Sequence, residues 1–269
     1  MNYIQLDLID LAIAGSLVLL NGGLSLVLHL QLERQLLIAT GRMIVQLLLV
    51  GFVLTTLFST MSPLWTGFAA LAMILFAGRE IMARQERRLA GLWSYGLGTS
   101  CMLVAATLVT VFALTTQVRP DPWYHPRYGL PLLGMILGNT MTGISLGLHT
   151  LTTALVRERD GIEAQLSLGA TRNLALLPAT RSAMRSALMP IVNAMAATGL
   201  VALPGMMTGQ ILAGVEPTEA VKYQILIMFL IAGGTGLGSL AAVMGGAYRL
   251  TDGRHRLRLD RLSPSADNS

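Results

Sequence analysis

Seven long apolar runs, separated by short polar connections, divide this chain. They cover about residues 11–28, 43–58, 64–78, 89–114, 129–156, 187–215 and 223–247. Most approach the roughly 20 residues that an α-helix needs to cross a bilayer. The run at 64–78 is short because Arg79 ends it, and a buried core helix is the alternative there. The pattern predicts an all-α integral membrane protein with about seven transmembrane helices.

The composition narrows the class of protein in the same direction. Hydrophobic residues make up 53% of the chain and charged residues 12%, and the mean hydropathy is +0.62. A soluble globular domain carries about twice that share of charge. The balance is typical of a chain whose surface meets membrane lipid.

The positive charges predict the orientation of the chain. If the N-terminus lies outside, 16 of the 19 lysines and arginines fall in inner connections and only Arg119, Arg127 and Lys222 fall in outer ones. Cytoplasmic loops are the ones enriched in lysine and arginine. We therefore expect the N-terminus outside and the C-terminus inside. This bias also explains the net charge of +5 without a nucleic-acid partner.

A basic insert at residues 157–185 lies between the fifth and sixth runs. Asp160 and Glu163 stand three apart, as in a capping box at the start of a helix. Gly169 suits the left-handed end of that helix, and Thr171 can begin a second one that runs toward Pro178. The insert predicts a cytoplasmic helix, a tight turn and a second helix. An amphipathic surface helix without a partner would give a similar pattern.

Part of this insert resembles the Glu-Ala-Ala loop of ABC-transporter permeases. The resemblance lies in Glu163-Ala164 and Leu168-Gly169-Ala170 and in the prolines that follow. In that family the short cytoplasmic helix docks into a groove of the ATPase subunit. The resemblance implies an ATPase-coupling role for Asp160, Glu163, Ala164, Gly169 and Ala170.

One pattern of glycine, methionine, glycine, amide and glycine occurs twice with identical spacing. Its members are Gly134, Met135, Gly138, Asn139 and Gly143 in the fifth run, and Gly205, Met206, Gly209, Gln210 and Gly214 in the sixth. Both copies are expected in the outer half of the membrane. Glycines four residues apart let helices approach closely, and an amide in hydrocarbon needs a partner or a water-lined cavity. Two interpretations stay open: tight packing with an Asn–Gln hydrogen bond, or a gate that lines a pathway.

Candidate metal ligands are few. The four histidines are scattered, and no two stand at i and i+4. His149 and Met141 are candidate contacts for a transported ion, and Met135, Met206 and Met207 are soft groups near the repeated pattern. Packing inside a membrane helix is the alternative for each of them.

The energy source is not encoded in this chain. A phosphate-binding Walker loop needs a lysine after a glycine-rich turn, whereas the single lysine, Lys222, follows no such turn. ATP and Mg²⁺ are therefore expected in a partner, and no cofactor is expected here. The carboxylates fall in loops or at span ends, which leaves an ion-coupled secondary transporter as the second hypothesis. A non-transporting membrane scaffold is the third.

Longer segments carry a more specific resemblance. Residues 134–139, 203–214 and 220–224 are similar to the FetB (YbbM) family of bacterial permeases, which is related to a plant permease implicated in aluminium tolerance. The resemblance implies a multi-pass permease of the bacterial inner membrane that is not itself an enzyme. It pairs with a FetA-like ATPase and is implicated in iron export. The resemblance further implies a homodimer. We expect one transmembrane domain at residues 1–262 and a disordered polar tail at 263–269.

Overall fold

The computed structural model describes residues 7–85, 87–254 and 256–263, without the side chain of Leu8. This part of the chain forms ten α-helices. They are α1 (Leu8–Val27), α2 (Glu33–Thr60), α3 (Pro63–Ala83), α4 (Trp93–Phe112), α5 (Pro126–Arg157), α6 (Arg159–Ser167), α7 (Arg172–Ala175), α8 (Leu177–Ala197), α9 (Gly205–Leu212) and α10 (Pro217–Arg249). A π-helical turn, Ala113–Val118, extends α4, and a 3₁₀ turn, Leu259–Arg261, follows α10. The expected all-α fold is confirmed for these residues.

Six of these helices are long and apolar enough to cross a membrane. They are α1, α2, α3, α4 with its π-helical turn, α5 and α10. The short third run becomes a helix of 21 residues, long enough to cross a membrane, because α3 begins at Pro63 and continues beyond Arg79 to Ala83. The chain is a multi-pass membrane protein.

The sixth apolar run differs from its prediction. The expected continuous span over 187–215 is wrong, because α8 begins ten residues earlier and ends at Ala197, and α9 starts only at Gly205. Thr198 is extended and Gly199 has a φ of +91°, a conformation that suits glycine and ends the helix. Arg181 and Arg185 lie in the first half of α8, which lowers its apolar character below that of the six spans.

The centre of the molecule is the pair of long helices α5 and α10. They pack against each other and against α4 and α8, and α3 covers α4 and α5. Glycine makes some of these approaches possible. A Cβ atom at Gly98 of α4 would lie 2.8 Å from Cγ2 of Ile81 in α3. The bundle is therefore held by close helix contacts of the kind that small residues permit in membranes.

The α1–α2 pair lies at the side of this bundle. Inside the pair, the Ser25 hydroxyl donates to Glu33 at 2.8 Å. Arg42 of α2 forms an ion pair with Glu80 of α3, and the guanidinium of Arg127 stacks on Phe58 with its carbon 5.5 Å from the ring centre. Most α1 and α2 side chains are exposed and apolar. This surface is suited to lipid.

The segment after α10 folds back onto the connection between α3 and α4. The N–H of Ala90 donates to the carbonyl of Arg261 at 2.7 Å, and the N–H of Ser263 donates to the carbonyl of Arg88 at 2.8 Å. Leu89 and Leu250 are buried beneath these contacts. Ser263, the first residue of the predicted disordered tail, is thus hydrogen-bonded, and residues 264–269 lie outside the described part of the chain.

Candidate functional site

The basic insert leaves the bundle directly at the end of α5. Only Glu158 separates α5 from α6, and Glu158 is the N-cap residue of α6. The predicted capping box at Asp160 does not form, because Asp160 already lies in the first helical turn. The carboxylate of Glu163 instead accepts a hydrogen bond from Nε of Arg159 at 2.9 Å. This bond, together with the charge of Glu163, raises the pKa of Arg159 above its usual range.

Gly169 ends α6 as its sequence position predicts. Its φ is +91°, and its N–H donates to the carbonyl of Leu166 at 3.1 Å. The N–H of Ala170 donates to the carbonyl of Gln165 at 3.0 Å, which completes a Schellman motif. A Cβ at Gly169 would meet nothing within 4 Å. An alanine here would therefore cost about 1 kcal/mol through backbone strain alone. Thr171 precedes α7, which is a single turn of four residues.

One side of the insert is attached to the bundle and the other faces away from it. Ile162 is buried, and the guanidinium of Arg172 stacks on Tyr248 of α10 with its carbon 4.7 Å from the ring centre. On the opposite side lie Gly161, Ala164 and Leu168, which we call the α6 face; Leu168 is 89% exposed. The α6 face is therefore the side of the insert that is free to contact a partner.

The two copies of the repeated pattern use their glycines differently. In α5, a Cβ at Gly143 would lie 2.6 Å from Oγ of Ser239, and one at Gly134 would lie 3.2 Å from Cε of Met73. In α9, Gly205 and Gly209 have open space around them. Gly214 has a φ of +93° and ends α9 with a second Schellman motif. The first copy therefore packs helices, whereas the last glycine of the second copy makes a turn.

The two amides are not joined. Nδ2 of Asn139 donates to the carbonyl of Met135 on its own helix at 2.9 Å, and the side chain is exposed. Oε1 of Gln210 is buried and has no hydrogen-bond partner among the described residues. Within the described part of one chain, the Asn139 amide donates to its own helix and no hydrogen bond joins it to Gln210. A bond between the two amides of different chains stays a prediction.

The two copies of the repeated pattern do meet in the structure, through the methionine of each copy. Met135 and Met206 both line a mostly apolar cavity of about 70 Å³ between α5, α9 and α10. Arg127, Tyr128 and Tyr223 line it as well. The cavity therefore joins the two segments that the repeat singled out, through side chains other than the amides.

The candidate metal ligands lie in different surroundings. The described residues contain no group of three or more histidine, cysteine, aspartate or glutamate side chains that could hold an ion. Met141 packs against the hydrophobic core. His149 and Met207 are half-buried. A role for Met141 or His149 in ion contact stays a prediction.

Sequence reasoning missed two features of the structure. It included Leu168 in the loop resemblance but gave the coupling role to Gly169 and Ala170, since the sequence alone does not show that the leucine is exposed. It also passed over three hydroxyls at the α5–α10 contact, Thr140, Thr235 and Ser239, all buried without a hydrogen-bond partner among the described residues. The glycines that surround these hydroxyls in sequence were the available signal.

Comparison with known proteins identifies relatives over most of the chain. The family model described as "Uncharacterised protein family (UPF0014)" matches residues 8–251. UPF0014 membrane protein slr1647 of Synechocystis is 41% identical over 84% of this chain and 86% of its own. Escherichia coli "Probable iron export permease protein FetB" is 31% identical over 87% and 88%. Arabidopsis "Protein ALUMINUM SENSITIVE 3" is 32% identical over 86% and 82%. No solved structure matches. These relatives confirm the resemblance to the FetB family.

Proposed function

The chain belongs to the UPF0014 family of membrane proteins, and from this premise we propose that it is the membrane-spanning permease subunit of an ATP-driven ABC transporter. The observation that carries the proposal is the exposed α6 face at the end of α5, with its Schellman turn at Gly169. A short helix of this kind, fixed to the bundle on one side only, is suited to docking against a separate ATPase. ATP and Mg²⁺ would be bound by that partner.

The relatives support a metal ion as the substrate. The Escherichia coli relative is named a probable iron export permease protein. We extend iron export to this chain, and with it a place in the bacterial inner membrane. Because each chain offers a single docking insert, a homodimer with two copies of a FetA-like ATPase is the assembly that pairs every ATPase with one insert.

A seventh crossing by α8 completes the proposed topology. A Cβ at Gly143 would lie 3.2 Å from the carbonyl oxygen of Ala187, and one at Gly147 would lie 3.7 Å from that of Ala183. Residue numbers rise along α5 as they fall along α8, so the two helices are antiparallel. With α8 as the sixth of seven spans, the insert and the end of α10 lie on one side. The arginine bias makes that side the cytoplasm.

This orientation predicts the accessibility of single cysteine labels. With the native Cys101 replaced by alanine, a cysteine at Asp121 should react with an impermeant thiol reagent added to intact cells. One at Gly161 should react only after the cells are opened. Labelling of Gly161→Cys from outside would show that the topology is the reverse of the proposed one. In that case α6 could not contact a cytoplasmic ATPase.

The insert is placed to transmit motion into the bundle. It follows α5 after one residue and leads through α7 into α8, and Arg172 contacts α10 through Tyr248. Closure of two ATPases would move both inserts. Because α5, α8 and α10 pack together, that movement biases the bundle between two arrangements with different access.

Reconstitution tests the proposed function. The chain should co-purify with an ABC ATPase, and vesicles that contain both should move Fe²⁺ only when ATP and Mg²⁺ are supplied. An ATPase variant without its Walker lysine is the control and should support no transport. Transport by the chain alone, driven by a proton gradient, would instead favour a secondary transporter. If the vesicles move no Fe²⁺ and the chain binds no ATPase, the non-transporting scaffold would be favoured.

A further inference from the structure

Three hydroxyl groups at the contact between α5 and α10 have no hydrogen-bond partner among the described residues. They belong to Thr140 of α5 and to Thr235 and Ser239 of α10. The exposed fractions of these residues are 0%, 2% and 0%. All three lie in the central part of two helices that are long and apolar enough to cross a membrane. A buried polar group without a partner is costly, and most costly in hydrocarbon.

Several hydroxyls in this chain avoid that cost by bonding to their own helix, whereas those of Ser94, Thr110 and Ser145 are buried without a partner among the described residues, like the three at this contact. Thr142, two residues from Thr140, donates to the carbonyl of Gly138 at 3.0 Å. Thr99 of α4 donates in the same way to the carbonyl of Tyr95 at 2.6 Å. The three hydroxyls at the α5–α10 contact therefore depart from a local solution that neighbouring residues use.

Glycines hold the three hydroxyls inside a closed contact. A Cβ at Gly143 would lie 2.6 Å from Oγ of Ser239 and 2.7 Å from Cγ2 of Thr235. A Cβ at Gly238 would lie 2.5 Å from Cγ2 of Thr140. We call this region, formed by Thr140, Gly143, Thr235, Gly238 and Ser239, the α5–α10 seam. The absence of side chains on its glycines lets the two backbones meet closely.

We propose that the α5–α10 seam is the polar lining of the ion pathway, closed in this structure, and that it opens within one chain when α5 and α10 move apart. The inference rests on the proposed transport function. On separation, the three hydroxyls would face water and a hydrated cation instead of one another's helices. Neutral hydroxyl oxygens replace part of the hydration shell of a hard divalent cation without binding it tightly, and weak binding is what passage requires.

The seam contains no charged side chain, which suits the passage of an ion better than its tight binding. Its members include no carboxylate, imidazole or thiol, so a metal ion would meet only oxygen dipoles there. In the closed form the hydroxyls gain nothing from one another, which favours opening once the ATPases supply the movement. The seam thus gives the unpartnered groups a role that packing alone does not.

Cysteine accessibility tests the seam directly. In the Cys101→Ala background, cysteines at Thr140, Thr235 and Ser239 should react with a cationic methanethiosulfonate reagent in one nucleotide state of the chain–ATPase complex and be protected in the other. Leu146→Cys and Leu237→Cys, on exposed positions of α5 and α10, are the controls and should stay unreactive in lipid. Reaction at these two positions without reaction in the seam would overturn the proposal and place the pathway between chains.

Removing a hydroxyl at constant shape supplies the second measurement. Thr140→Val should keep or raise the unfolding temperature, because it removes an unpartnered buried group, yet lower ATP-driven Fe²⁺ transport about tenfold. Thr142→Val, whose hydroxyl bonds to its own helix, should leave transport unchanged. Equal transport by both variants, with protected seam cysteines in every state, would refute the seam while leaving the transporter intact. If the complex shows no ATP-driven transport, the proposed function is refuted. The seam proposal is then refuted as well if the seam cysteines stay protected in both nucleotide states, whereas cysteines that become accessible would still support an opening of the seam.

Discussion

Replacing Gly143 by alanine is expected to destabilise the helix bundle by about 1–3 kcal/mol, the usual cost of extra volume in a packed core. The new Cβ would lie 2.7 Å from Cγ2 of Thr235 and 3.2 Å from the carbonyl oxygen of Ala187. The Ser239 hydroxyl can rotate away, but a β-branched side chain and a backbone carbonyl cannot yield so easily. The helices α5, α8 and α10 must therefore shift together, and the unfolding temperature of the purified protein should fall.

Gly138→Ala provides the matched control for this substitution. Gly138 belongs to the same repeated pattern and the same helix, but a Cβ there meets nothing within 4 Å. Alanine in an open helical position is favourable by about 0.5–1 kcal/mol, so Gly138→Ala should hold or raise the unfolding temperature. Equal unfolding temperatures for the two variants would show that the α5–α8–α10 contact is looser than the structure has it.

The contrast between these two glycines marks a limit of sequence reasoning. Spacing placed Gly134, Gly138 and Gly143 in one pattern, yet only the first and last meet another helix closely. In the second copy, Gly214 serves a turn through its positive φ. Glycine occurs both where two backbones approach closely and where φ is positive, and a repeated sequence pattern does not distinguish between these two roles.

Features that depend on local geometry were predicted better than those that depend on tertiary contacts. Six spans follow from apolar length alone, and the end of α6 at Gly169 follows from the left-handed conformation that glycine permits. The break after Ala197 was missed because the apolar run continues through it; Leu200, 94% exposed, lies in the break itself. Gly199 and Pro204 are the local signals of that break, but both lie inside the apolar run that predicts a span.

The candidate site shows the same difference between features set by local geometry and features set by tertiary contacts. The sequence located the insert, its first helix and its turn, because these are set within a few residues. Which side of α6 is buried depends on contacts with distant helices, such as that of Arg172 with Tyr248. The exposed Leu168 therefore became visible only with the bundle around it.

Leu168→Ser is expected to abolish most of the binding between this chain and its ATPase while leaving the chain folded. In the isolated chain the Leu168 side chain is 89% exposed, so replacing it removes little packing from the bundle. If the α6 face docks into the ATPase, burial of this leucine contributes about 1.5–3 kcal/mol, and its loss weakens the complex about tenfold or more. Co-purification and ATPase stimulation should both fall, whereas the unfolding temperature should not.

Two further variants decide whether that loss reports docking. Leu168→Ile keeps an apolar side chain of equal size and should retain binding, which separates lost apolar contact from any disturbance of the Schellman turn beside it. Leu200→Ser alters a leucine that is 94% exposed at the opposite end of α8, on the proposed outer side, and should bind the ATPase like the unchanged chain. Full ATPase binding by Leu168→Ser would exclude the α6 face as the docking surface. Weakened binding by Leu200→Ser as well would mean that the loss comes from the whole bundle, because no side chain on the outer surface can touch a cytoplasmic partner.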